Sequence, residues 1–427
     1  MNGDTVRMSS IKAFRFQLRI RPLAASQLRR FAGMGRQVWN RALAEQRARH
    51  ARGEKYAGHA EMCKWLTVWR NDPATAWLAE GPIHPQQQVL RRLDEAYKRF
   101  FAKGGGFPSF KRYGGEPGIR FPDPKQFGLD GANGRIKLPK LGWLRLRMSQ
   151  QVQGELRNVS ITREGAKWFV SIQVQTIETV PALGLAPTLG IDLGLAAFAA
   201  TSDGTLVEPL KALAKKQVRL RRYQRSVARK KKGSANRKKA VAKLGSLHRK
   251  IARQRSHWLH QLTTCLADAH PVIAIEDLRI KNMSASAAGT AEEPGRNVRA
   301  KAGLNRSIMD AGWGEFARQL TYKVQWRGGQ VILVNPAYTS RTCRICGYES
   351  AENRKTQSVF ACVACGHAEH ADVHAAKNIL AAGHAVWLEQ LAASAAACGG
   401  EVSRASVARP KRAAPVKQEP AEAKAVA

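Results

Sequence analysis

Three carboxylates in this chain stand where a charge is expensive. Asp192 lies inside the apolar stretch TLGIDLGLAAF, Glu276 ends PVIAIEDL, and Asp372 opens the helical stretch DVHAAKNIL. A carboxylate taken out of water is costly unless it is paired, hydrogen-bonded or bound to metal. Several carboxylates converging on metals ~3.5–4 Å apart form the arrangement that lets two magnesium ions hydrolyse a phosphodiester. Magnesium favours such hard oxygen ligands. Taken singly, each acid has an ordinary reading. Asp192 would be a turn residue before a hairpin, Glu276 and Asp277 a strand end, and Asp372 a helix N-cap. Their matching contexts favour a shared magnesium site. Gly194, two residues after Asp192, leaves room for a close approach. Asp277 is expected to point away from Glu276 if the strand continues. His370 and His374 flank Asp372 and could aid metal or substrate binding, but near a helix start they read first as surface residues.

A second group is Cys343-x2-Cys346 and Cys362-x2-Cys365, separated by fifteen residues. This spacing matches a four-thiolate zinc site, and all four positions are filled by cysteine, so the zinc would be structural. A Gly follows each pair, letting the chain turn so that backbone amides approach the sulfurs. Redox or disulfide pairing is the weaker alternative. Cys63, Cys265 and Cys398 are isolated and read as ordinary.

Charge narrows the partner. The 427 residues carry 71 Lys and Arg against 32 Asp and Glu, a formal net charge of +39. A compact fold with that excess repels itself unless a polyanion neutralises it. A duplex of about 20 base pairs carries roughly 40 phosphates, the right order to do so. Lys211 to Arg255 holds nineteen Lys or Arg and no acid, whereas a merely solvated helix mixes signs. Leu210, Leu213, Val218, Leu220, Val227, Leu244, Leu247 and Ile251 are expected to form its packing stripe. Arg219, Arg221, Arg222, Arg225, Lys230, Lys231 and Lys232 would then be left for phosphate.

The elements that must position these residues fall into two styles. Residues 1–22 and 105–180 alternate with period two, the pattern of a β-barrel or sandwich, and 23–104 read as a helical insertion. From Leu189 onward strands and helices alternate, suggesting an α/β unit with a mixed sheet over 189–339 and 369–392. Residues 209–267 read as a helical hairpin broken at KKKGSAN, 284–306 as a polar loop and 308–327 as one helix. The cysteine segment, 340–368, interrupts this unit. Residues 393–427, rich in Ala, Pro, Lys and Glu, read as a disordered tail. The apolar run Leu183–Thr201 contains Asp192 and turn-forming residues, so no membrane role is expected. No signal peptide is expected, and the cysteine usage suits a reducing, cytoplasmic setting.

Taken together, AFRFQLRIRP, GRQVWNRAL, FPSFKR, RIKLPKLGWLRLR, GIDLGLAAFAATSDG, KKKGSANRKKA, IAIEDLRIKNM, DAGWGEF, TSRTCRICG and HADVHAAKNI resemble the TnpB family. These are insertion-sequence nucleases related to compact type V CRISPR effectors, and the likeness runs across about residues 12 to 380. It implies a wedge-type β-barrel with a helical recognition insertion, an RNase H-like RuvC domain and an inserted zinc ribbon. It implies an element-encoded guide RNA and a short transposon-adjacent motif read on double-stranded target DNA, both strands of which are cut. By this likeness Asp192, Glu276 and Asp372 fall on the catalytic positions and the four cysteines on the zinc ligands. Tyr56 and Gln87 fall near the motif-reading surface. One departure is His374, where the family has Asn. A guided DNA-binding repressor without cleavage is the alternative from another class, which the three retained acids disfavour. A CRISPR effector would share the chemistry and differ by genomic neighbour.

Overall fold

The computed structural model describes residues 5–114, 118–181, 186–290, 292–354, 356 and 358–398. The expected tail over 399–427 lies outside the described residues. The N-terminal part is built on β1 (Thr5–Arg19), followed by three helices, α1 (Pro22–Ala51), α2 (His59–Asn71) and α3 (Ile83–Phe101). Pro22 stands in the first turn of α1, where its missing N–H costs no hydrogen bond. Leu28, Met34, Val38 and Leu43 line one face of α1, and the last three pack with Met62, Leu66, Leu90 and Leu93 of α2 and α3.

Short strands then follow: β2 (Ile119–Phe121), β3 (Gly128–Asp130), β4 (Arg135–Leu138), β5 (Gly142–Arg147), β6 (Glu155–Glu164) and β7 (Lys167–Pro181). With β1 they make one seven-stranded sheet in the order β2-β6-β7-β1-β5-β4-β3, antiparallel throughout. Among the described residues no ladder joins β2 to β3, so the sheet is open there. Alternation works as period two demands: Val170, Ile172 and Val174 of β7 are fully buried against Phe16, Phe121 and Ile161.

The second part is a five-stranded mixed sheet. Its strands are β8 (Leu189–Leu193), β9 (Ala199–Thr201), β10 (Leu206–Val207), β11 (Val272–Glu276) and β12 (Gln330–Val334), in the order β10-β9-β8-β11-β12. β11 runs parallel to both β8 and β12. The helices are α4 (Gln217–Ala228), α5 (Ala235–Ala269), the single turn α6 (Ile280–Met283), α7 (Val298–Ala311), α8 (Trp313–Gln325) and α9 (Ala371–Cys398). Ile273 and Ile275 of β11 pack with Leu259, Phe316 and Leu320 of α5 and α8. Val272 and Ala274 pack on the other face with Ile379 of α9. The sheet is thus covered on both sides, which is why β8 and β11 read as continuous apolar runs.

Three expectations are corrected. The helix expected over 308–327 is two helices, and α7 begins inside the stretch expected to be loop. Gly312 takes a left-handed φ of 77° between them, the conformation that ends a helix at glycine. Val218 does not join the packing stripe, being 82% exposed. α9 continues to Cys398, past the tail boundary expected at 393, because its Ala-rich sequence favours helix. The cysteine segment carries the small hairpin β13 (Val359–Ala361) and β14 (Ala368–His370). Among the described residues no helix is long and apolar enough to cross a membrane.

Candidate active site and thiolate cluster

Period two places the first two carboxylates. In β8, Leu189, Ile191 and Leu193 face the α5–α8 core, so Gly190 and Asp192 face α9. In β11, Val272 and Ala274 face α9, and Glu276 continues that side. The parallel register pairs Ala274 with Gly190 and Ile275 with Ile191, which sets Glu276 beside Asp192 at the strands' C-terminal ends. Open α/β sheets bind ligands at that end.

Glycine brings the third acid in. A Cβ at Gly190 would lie 2.2 Å from Ala376 O and 2.7 Å from Leu380 N, so α9 crosses β8 at backbone contact. On α9 itself, a Cβ at Gly383 would lie 2.5 Å from Ala274 Cβ. Asp372, one turn before Ala376, is therefore delivered to the strand ends. Gly194 has a different role, in the turn after β8, where a Cβ would meet Ala197 O at 2.9 Å.

The electrostatics show the three acids to be neighbours. Burial raises the Asp192 carboxyl to about 7, with further upward pushes from Glu276 and then Asp372. Arg354 opposes this, as does the Leu193 amide. Burial also raises Glu276, against a hydrogen bond from Thr339 and the charge of Arg354. Thr339 Oγ1 donates to Glu276 Oε1 at 2.8 Å, and Arg354 Nη2 pairs with Asp372 Oδ1 at 2.7 Å. The acids are set wider than the tight donor groups described below, whose atoms all lie within 4.8 Å of one another. A partly buried carboxylate whose charge is opposed by two neighbouring acids is a hard-oxygen setting that suits a divalent cation of the magnesium kind. β11 ends at Glu276, and Asp277 is exposed with its amide bonded to Val334 O.

The four cysteines converge. Cys343 and Cys365 sulfurs are 3.7 Å apart, and those of Cys346 and Cys362 are 3.6 Å apart. Zn–S bonds of about 2.3 Å in a tetrahedron require edges of ~3.8 Å, so the group fits zinc and is too open for disulfides. The Cys365 amide, and after it the Ala364 amide, help draw the Cys362 thiol down to about 6, favouring thiolate.

His374 is a finding that the surface reading missed. It is fully buried, stacked on Phe360 with centroids 3.6 Å apart. Its Nδ1 meets Glu369 Oε1 at 2.7 Å and its Nε2 meets Thr342 O at 2.9 Å. His367, Glu369 and His374 form a second tight donor group, already closed by these bonds and by Lys377 on Glu369. Although burial works the other way, Lys377, His367 and His374 hold the Glu369 carboxyl down at about 2. Asn378 donates to both Thr339 O and Thr342 O at 2.8 Å. Helix α9 thereby fixes the loop whose Thr339 holds Glu276. His370 is exposed.

The basic residues lie on α4, α5 and their junction. Arg219, Arg221, Arg222, Arg225, Lys231 and Lys232 are exposed, while Lys230 is half-buried with Nζ on Ser226. Arg219 donates to Tyr223 OH. Leu220, Leu247 and Ile251 hold the two helices together, and a groove of about 340 Å³ between them is lined by Arg222, Lys230, Lys239 and Lys243. Tyr56 and Gln87 are both half-buried in the helical part. Tyr56 donates to Asp94 at 3.0 Å and packs on Tyr97 and Phe101, so its hydroxyl is occupied. Gln87 accepts at its backbone oxygen from His59.

The sequence is 47% identical over 415 residues to a protein of Escherichia coli K12 named "Putative RNA-guided DNA endonuclease InsQ", covering 97% of this chain and 98% of that one. The chain belongs to the TnpB (IS605 OrfB) family. Family profiles agree along this TnpB-family chain: "Probable transposase" over 170–287, "Cas12f1-like, TNB domain" over 313–379 and "Helix-turn-helix domain" over 8–55. In this chain the last span holds β1 and the single helix α1. A Streptomyces pristinaespiralis relative with the same endonuclease description is 33% identical across 97% of each chain. Cas12f1 of Sulfoacidibacillus thermotolerans, a CRISPR-associated endodeoxyribonuclease, is 29% identical over half of each chain. Among solved structures, a Cas12f1–sgRNA–target DNA complex aligns with 88% of this chain and 99% of that one at TM-score 0.47 and 12% identity.

Proposed function

We propose that this TnpB-family chain is an RNA-guided DNA endonuclease of the RuvC type, with Asp192, Glu276 and Asp372 as catalytic carboxylates. The observation that carries the reading is the electrostatic meeting of three acids from β8, β11 and α9. These residues would hold magnesium, which supplies activation of a water and stabilisation of the leaving oxygen when bound. Asp192 holds a proton near neutral pH because burial and its acidic neighbours disfavour its charge; a cation reverses that preference. Thr339 orients Glu276 through its hydroxyl, and Arg354 holds Asp372.

In this reading the seven-stranded sheet serves as the wedge, α1–α3 as the recognition insertion and the thiolate cluster as a structural zinc ribbon. The exposed arginines and lysines of α4 and its junction with α5 contact phosphate, giving affinity without sequence information. Specificity comes from pairing with an element-encoded guide RNA, and the protein reads a short flanking motif on the duplex. Relatives named as RNA-guided endonucleases over nearly their whole length support this assignment. The test is cleavage of both strands of a guide-matched plasmid by protein expressed with its native flanking DNA. Asp192→Ala, Glu276→Ala and Asp372→Ala should each reduce cutting to background while guided binding persists. Full cleavage by any one of them sinks the triad.

A further inference from the structure

Away from the carboxylates, a cleft of about 540 Å³ opens between α1 and the β6–β7 hairpin. Its floor is part of the sheet's core, with Ile119, Ile161 and Trp168 all buried. Its rim is cationic. Arg29 and Arg36 rise from α1 and Arg163 from the end of β6. Seven residues span about two helical turns, so Arg29 and Arg36 share a face roughly 10 Å apart. Between them lie Ala32 and Gly33, and a Cβ on Gly33 would meet nothing within 4 Å, so that stretch of helix surface is open. Arg163 Nε donates to Gly165 O at 2.8 Å, which holds its guanidinium at the rim.

Two observations point to a ligand. First, Arg36 Nε is buried and has no hydrogen-bond partner. A buried donor left unsatisfied costs about 1–3 kcal/mol, so the site is built to meet an acceptor. Second, among the described residues no Asp or Glu lines the cleft, so no described carboxylate meets these guanidinium groups. The Tyr113 ring, 86% exposed, stands 6.0 Å from the Arg36 guanidinium at the mouth. A solvated aromatic beside arginines is a stacking platform for a base. The volume falls in the ~300–1,000 Å³ range of small-ligand sites, far more than an inorganic anion needs. A neutral apolar ligand would leave the guanidinium groups unmatched.

We propose that this cleft takes one extruded nucleotide of a nucleic-acid strand, its phosphodiester on Arg29 and Arg36 and its base against Tyr113. The inference rests on the proposed function only in taking nucleic acid as the ligand. RNA and DNA share this chemistry, and the experiment separates them. Full-length protein is titrated in EDTA with fluorescent 12-nucleotide single-stranded RNA and DNA of one sequence, over a salt series. Because nothing is cut in EDTA, the result does not depend on whether the chain is a nuclease. R29Q/R36Q is compared with R221Q/R222Q, which removes the same charge from α4. The expected result is a loss about 10-fold larger for R29Q/R36Q than for R221Q/R222Q, on at least one of the two strands. Tyr113→Ala should weaken the same strand about 5-fold or more with an unchanged salt slope, since a base contact releases no counterions. Loss for RNA alone assigns the pocket to the guide, loss for DNA alone to the target, and loss for both to either. Tyr113 is too exposed for its replacement to unfold the chain, so that variant decides the matter even if Arg36 variants fold poorly. Wild-type affinity of Tyr113→Ala for both strands, within twofold, overturns the pocket.

Discussion

Asp192→Asn removes a charge that the fold disfavours. Burial, then Glu276, then Asp372 raise this carboxyl from 3.8 to about 7. Between those values the folded chain keeps a proton that the unfolded chain has lost. Stability from this group is therefore fully present below pH ~4 and declines as pH rises through about 7. Three pH units at 1.36 kcal/mol each set a ceiling of ~4 kcal/mol, and residual solvation brings the expected loss to ~2 kcal/mol. Asparagine has nearly the same shape and no charge to lose. In EDTA at pH 8, Asp192→Asn should unfold several degrees above the parent, with the difference vanishing near pH 4. In magnesium the order should narrow or reverse, because the parent, with all three carboxylates, gains more from binding metal to the folded state. Calorimetry across pH 4–8.5, with and without magnesium, measures all of this. Equal unfolding temperatures at every pH in EDTA, or a less stable variant at pH 8, would refute the electrostatic account of the site.

Gly190→Ala puts a methyl 2.2 Å from Ala376 O, so α9 must move. Overpacking of this kind costs about 1–3 kcal/mol, and a displacement of Asp372 near 1 Å should cut cleavage ~10²-fold. Gly131→Ala, where a Cβ meets nothing within 4 Å, is the control, and equal behaviour of the two variants in melting and plasmid cleavage would defeat the argument. Soluble protein should carry about one zinc per chain by elemental analysis, and Cys362→Ser should lower both zinc content and melting temperature; zinc-free wild type refutes it. Neutralising Arg221, Arg222 and Arg225 together should reduce the salt slope of guide and target binding by about 2 to 3 and leave the preferred flanking motif unaltered. An unchanged slope would make α4 a solvated face.

Much of the site was legible because charges in apolar strands and paired cysteines are rare and costly arrangements. The apolar runs alone put Asp192 inside one strand and Glu276 at the end of another, and the cysteine spacing implies four converging sulfurs. The structure brings both groups together. What escaped was packing between distant segments. In sequence Gly194 stands out by its nearness to Asp192, whereas the glycine that admits α9 is Gly190, on the same strand face as the acid. Period two contained that signal: Gly190 and Asp192 share a face, and a small residue there makes room for something. His374 looked like a surface residue because nothing local shows that Phe360 and Thr342 close over it. Tyr56 carried no local sign of Asp94, 38 positions away. The break at Gly312 lay within one continuous helical pattern, and only its left-handed φ reveals it.

The thiolate cluster and the carboxylates are mechanically one unit, and α9 is the reason. Its first turns carry Asp372, His374 and Asn378. Asp372 faces the strand ends, while His374 and Asn378 both grip the Thr339–Thr342 segment that leads into Cys343. On the far side of the cluster, buried Asn353 donates to Arg341 O and Tyr348 O and accepts from the Val363 amide. That places the next residue, Arg354, against Asp372. The cysteines thus fix both a cation that holds one acid and, through Thr339, a hydroxyl that holds another. Disordering the cysteine segment would release Glu276 from its donor and Asp372 from its counter-charge together. A structural metal held by these four cysteines would in this way set the electrostatics of the carboxylates beside it.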